Sequence, residues 1–135
     1  MTRYQDWPDR FEASVAAAAP RSFRYGKWDC CLAVADIVAA MTGTDLAAPY
    51  RGRYSSRKEA LRLGNGALRG FLEEALSELP SIPVLCAQRG DIVLVQRPRD
   101  VSLGLIALNG KAILAASRKG FMLFSLSLAV RAWRV

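Results

Sequence analysis

The sequence predicts an α+β fold, with helices first and an antiparallel sheet after. Two observations carry this. Composition shifts near "LPSIPVLCAQRG": apolar spacing is helical before it and strand-like after it. The clearest hairpin, "SLGLIALNGKAILAAS", turns at Asn109-Gly110 and lies wholly in the second half. The chain has 135 residues, 52% of them apolar. That suffices for one core and not for two. We therefore expect a single domain over 1–135, with a helical half at about 6–79 and a sheet half at about 90–135.

The first helix should run from about Trp7 to Ala18. Asp6 is placed to cap it, Pro8 suits its first turn and Pro20 stops it. A second helix runs from about Cys30 to Met41, with Gly43 as its C-terminal stop. It is apolar almost all round, which predicts burial. "SSRK" opens a third helix, where Ser56 and Glu59 have capping-box spacing. Gly64-Asn65-Gly66 breaks the chain, and a fourth helix follows from about Ala67 to Leu79.

"GDIVLVQ", "SLGLIAL", "KAILAAS", "GFMLFSL" and "AVRAWRV" predict a sheet of about five strands. Few positions alternate polar with apolar, so both faces should be largely covered. Trp133 in the last strand predicts that this strand is docked. Trp7, Trp28 and Phe121 read as core or interface anchors.

Net charge is +7, from 19 Lys+Arg against 12 Asp+Glu. Small basic clusters occur at Arg51/Arg53/Arg57/Lys58 and at Arg97/Arg99. Such an excess suits nucleic acid, an anionic envelope polymer or a solvated arginine surface. No motif that reads DNA or RNA accompanies it, so nucleic acid is not an expected partner. "LAVADIVAAM" is too short for a membrane span and carries Asp36. "MTRYQDWPDRF" lacks the basic-then-apolar pattern of a secretory signal. The chain has no His, and Cys30, Cys31 and Cys86 have no metal-like spacing, so neither metal nor cofactor is expected. Reduced thiols and synthesis in the cytoplasm follow.

Cys30 opens the buried second helix beside the polar turn "YGKWD". Unpaired N–H groups and the macrodipole favour a thiolate there. This is a nucleophile's setting, and equally a place for a small core residue. Cys31 is rotated by roughly 100°, so one of the two faces the mouth, and Cys30 is better placed. Asp36 interrupts the apolar helix. It pairs with Arg51 or Arg53, or lies on an exposed strip. "YRGRY" reads either as a stacking surface or as a loop clamped by its aromatics and arginines.

"FRYGKWDCCLAVADIV", "QRGDIVLV" and "SLGLIALNGKAILAAS" together resemble, in order, the motifs of NlpC-type papain-like cysteine peptidases. Thr42–Asp45, Arg51–Tyr54 and Ala132–Val135 are similar to a family of small phage proteins encoded among tail genes. The resemblance implies an NlpC-type, papain-like domain. It places Cys30 on the nucleophile, Ser102 where the general-base histidine would stand, and Ala115 on the third polar residue, give or take one position. Amide cleavage needs a proton delivered to the leaving amine, and imidazole suits this because it titrates near neutral pH. Serine does not. Asp29, read as an exposed carboxylate with a pKa of about 4, is a poor substitute.

The expected function is therefore a structural part of a phage or prophage tail, at the tip or hub, on a catalytically degenerate peptidase fold. Its implied location is the virion, and its implied partners are other tail or hub proteins. The alternative is an active cysteine peptidase or amidase that uses Cys30 to open peptidoglycan cross-links as the genome enters the cell.

Overall fold

The computed structural model describes residues 1–62 and 67–135; the predicted break at Gly64-Asn65-Gly66 lies outside them. Helix α1 spans Trp7–Ala18, with Pro8 in its first turn. Asp6 does not cap it. The carboxylate is drawn instead to Arg10 one turn on, at 2.7 Å. Helix α2 spans Cys30–Thr42 and ends at Gly43, whose φ of 81° lets its N–H reach the Ala39 carbonyl at 2.8 Å. Leu32, Ile37, Val38 and Met41 are each at most 1% exposed. Burial of about 1.5–3 kcal/mol per such side chain, rather than helix propensity, holds α2 in place.

Helix α3 spans Arg57–Arg62. Ser56 Oγ accepts from the Glu59 N–H at 3.1 Å, as the capping box predicts. The Glu59 carboxylate returns one residue further out, to the Ser55 N–H at 2.7 Å. Helix α4, Ala67–Gly70, widens into a π turn over Phe71–Ala75 rather than running on to Leu79. The wider turn sends both Phe71 and Leu76 into the core.

The sheet has six strands, all antiparallel: β1 Ser81–Ile82, β2 Ile92–Gln96, β3 Val101–Ile106, β4 Ala112–Ser117, β5 Gly120–Ser125 and β6 Ala129–Trp133. Their order is β1-β6-β2-β3-β4-β5. The strand that the sequence did not announce is β1, two residues that pair with Trp133 and Ala132. The β3–β4 loop is longer than a two-residue turn. The Ala107 N–H meets the Ala112 carbonyl at 2.9 Å, and Gly110 takes a φ of 70°.

Both faces of the central strands are covered, as the missing alternation implies, whereas the edge strand β5 leaves Met122 and Leu123 exposed. Ile92, Leu94, Leu103, Leu105 and Trp133 pack in the cluster built on α2. Val93, Val95, Ile106, Ile113 and Ala132 form a second cluster, with Val84, Ala87 and Leu128 packed against it. Trp133 is 2% exposed, so the last strand is docked. Trp7 is only half-buried, with the guanidinium groups of Arg3 and Arg89 at 4.4 Å and 5.5 Å from its ring centre. No helix among the described residues is long and apolar enough to cross a membrane.

Asp91 sits in the turn before β2 and has no exposed surface. Its carboxylate accepts from the Gln88 N–H at 2.9 Å, the Val135 N–H at 3.1 Å and Arg3 at 2.9 Å. Arg134 lies 3.2 Å from its other oxygen. One buried carboxylate thus ties together segments from both ends of the sequence.

Candidate functional site

The polar turn before α2 closes on itself: Arg24 and Trp28 exchange backbone hydrogen bonds, both at 2.9 Å. Gly26 occupies the bend at a φ of 82°, and a Cβ there would stand 1.8 Å from the Tyr54 carbonyl oxygen. Only glycine allows the following loop to cross so closely. The Gly52 N–H then bonds the Gly26 carbonyl at 2.9 Å.

Asp29 is 3% exposed, which corrects its reading as an exposed carboxylate. One oxygen accepts from the Leu32 N–H at 3.0 Å and caps α2. The other accepts from the Gly26 N–H at 3.0 Å and from the Tyr54 hydroxyl. Burial first, and the neighbouring carboxylate second, push the Tyr54 hydroxyl far above the ordinary phenol range. Three donors on its two oxygens commit Asp29 to holding the turn.

The "YRGRY" loop is a clamp. Tyr50 and Tyr54 are 7% and 5% exposed, so neither ring offers a stacking face. Tyr50 donates to Glu74 at 2.7 Å; burial and that carboxylate raise its pKa to about 12. Arg51 reaches Asp36 at 2.7 Å and Asp45 at 2.8 Å, so the pairing expected for Asp36 is present. Arg21 adds a contact to Asp36 at 3.5 Å.

The turn, α3, the fourth helical segment and the start of β3 enclose a cleft of about 760 Å³. Cys30, Cys31 and Ser102 all line it. Cys30 is half-buried and Cys31 is buried, with their sulfurs 4.0 Å apart. The Cys31 thiol draws the Cys30 pKa below the ordinary thiol value against the opposing effect of burial, with a smaller contribution from the Leu103 backbone. The interaction with Cys30 and its own burial raise Cys31. Cys30 is therefore the thiol that ionises first. Cys86 lies outside the cleft, exposed in a 3-10 turn.

Ser102 is buried and stands opposite Val95 in the β2–β3 ladder. Ala115 is also buried but does not line the cleft; Ala116 and Ser117 do. A Cβ at Gly104 would lie 3.3 Å from that of Ala115, so these two share a sheet face. Ala116 faces the other way, against Trp28 and Ala33. The structure thus places Cys30 and Ser102 in the lining of one cleft, but Ser102, opposite Val95, shares with Gly104 and Ala115 the sheet face that turns away from α2, so the resemblance's histidine and third-residue positions do not face Cys30 across the cleft. Among the described residues, no group of three or more acidic, Cys or His side chains is placed to hold a metal ion.

Sequence reasoning missed the rim of this cleft. Arg57, Arg69, Arg97, Arg99 and Arg118 surround it. The basic clusters were visible in the chain, but nothing local shows that α3, β3 and the β4–β5 turn converge. A comparison with curated proteins finds no match. Residues 2–135 match the family described as Domain of unknown function (DUF6950), and over that length the chain belongs to it.

Proposed function

We propose that this protein is a structural component of a phage or prophage tail, at the tip or hub, built on a catalytically degenerate NlpC-like peptidase fold. The observation that carries the reading is chemical. Cys30 lines a cleft in a chain that contains no histidine. Its thiol is drawn below the ordinary thiol pKa, but a thiolate alone does not complete amide cleavage, because the leaving amine must be protonated. General acid–base help of this kind is worth about 10²–10⁴-fold. Asp29 is engaged by three donors, and Asp100 on the rim is held by Arg97 at 2.8 Å through both oxygens. The tail assignment is supported by the resemblance of Thr42–Asp45, Arg51–Tyr54 and Ala132–Val135 to phage tail-gene proteins.

Two measurements on one preparation test the catalytic half. Iodoacetamide labelling of Cys30 against pH should show a half-point below that of a free-cysteine model peptide measured in the same buffer. Purified peptidoglycan incubated with the same protein should release no stem peptides. Release that disappears in Cys30→Ala would replace this reading with the active peptidase or amidase. The tail half is tested by antibody labelling of purified particles. Signal at the tail tip is expected, and its absence from particles would overturn the assignment.

A further inference from the structure

We infer that the Cys30 cleft is a docking groove for an acidic peptide segment of a partner protein, one with apolar side chains set between its carboxylates. This rests on the non-hydrolytic reading above and specifies what the cleft holds instead of a substrate. Charge is the first argument. The five arginines of the rim face only two acids in the lining, Asp29 and Asp100. Asp29 is buried and engaged by three donors, and Asp100 is paired with Arg97. Arg69 is paired with Glu73 at 3.0 Å. Among the described residues, Arg57, Arg99 and Arg118 make no ion pair. Residues 63–66, Leu-Gly-Asn-Gly, carry no charge that could offset them.

The groove also has length. A neighbouring hollow shares Phe23, Tyr25 and Arg118 with the cleft, adds Arg24 and Lys27, and has no acidic residue in its lining. A ligand lying across both would meet cationic side chains along its whole path. Partners drawn by such a field associate faster, and the attraction falls with salt.

The floor decides between a peptide and a nucleic acid. Leu61 is 63% exposed and Val101 39% exposed, and Leu68 and Leu72 complete an apolar surface between the arginines. Apolar side chains seat there, whereas a sugar-phosphate backbone gains nothing from it. Phe23 and Tyr25 pack edge to face at 88° with ring centres 5.1 Å apart, so the two rings do not form one flat platform for successive bases.

The test uses the full chain and a short fluorescein-labelled peptide that alternates Asp or Glu with Leu or Phe. Fluorescence anisotropy should show saturable binding with a Kd of about 1–100 μM, weakening as salt is raised. The Arg57→Glu/Arg99→Glu/Arg118→Glu variant should lose at least about tenfold, and the matching Lys variant should lose far less. A peptide with Ser in place of Leu and Phe should bind more weakly. Equal binding by the Glu variant, equal binding of the Ser peptide, or tighter binding of oligo(dT) would overturn the inference. Circular dichroism of the variants separates lost binding from lost folding. Peptidoglycan hydrolysis would defeat the non-hydrolytic reading while this anisotropy result stood. Absent peptide binding without hydrolysis would defeat this inference alone.

Discussion

Asp29→Ala should lower stability by about 3–5 kcal/mol, a fall in Tm of about 10–20 °C for a chain of this size. The substitution removes the cap of α2, worth about 1 kcal/mol. It also strands the Gly26 N–H and the Tyr54 hydroxyl, both of which point at Asp29 within the fold. Each buried donor left without a partner costs about 1–3 kcal/mol. Asp29→Asn keeps an oxygen for the Leu32 N–H and should lose less. Ser56→Ala, at the exposed cap of α3, should cost no more than about 1 kcal/mol and serves as the reference for an ordinary cap. Hydrogen exchange in Asp29→Ala should rise in the turn at 24–29 and in the loop at 50–54, because the carboxylate joins them. A Tm within about 3 °C of the parent protein would show that the loop is held by its other contacts.

The outline of α2 is legible in the chain because its signals are local. The polar turn before Cys30, an apolar stretch broken only at Asp36, and Gly43 mark its start, body and end. Five strands were legible for the same reason. β1 was not, because two residues before a proline carry no periodicity and owe their strand geometry to Trp133. The role of Asp29 was misread because the group that buries it, Tyr54, lies 25 residues away. Its neighbourhood in the sequence is a polar turn, and polar turns usually face water. The cleft shows the same limit. Sheet topology brings the start of β3 to the start of α2, so Cys30 and Ser102 both line the cleft, but strand phase puts Ala116 on the face packed against α2 and leaves Ser102 with Ala115 on the other. A resemblance aligned by motif does not resolve a one-residue difference in phase. In a strand that difference exchanges one face for the other.

Asp91→Ala should be as damaging as Asp29→Ala, at about 3–5 kcal/mol, for a different physical reason. Asp29 holds three uncharged donors, whereas Asp91 also holds two guanidinium groups. Arg3 is already driven below the usual arginine pKa, chiefly by burial and also by Arg134, with Asp91 opposing that shift. Removal of the carboxylate leaves two like charges facing a cavity and leaves the Val135 and Gln88 N–H groups without an acceptor. Asp91→Asn removes the charge but keeps an acceptor, so the difference between the two variants separates ion pairing from backbone satisfaction. The damage should also lie elsewhere in the fold. β6 runs between β1 and β2, and the residues that follow it are tied to Asp91. Hydrogen exchange in Asp91→Ala should rise in 81–90 and 129–135, while the turn at 24–29 and the α2 start stay protected. If exchange rose equally around Cys30, the two carboxylates would be supporting one cooperative unit. In that case the cleft could not be altered at its rim without loosening the sheet.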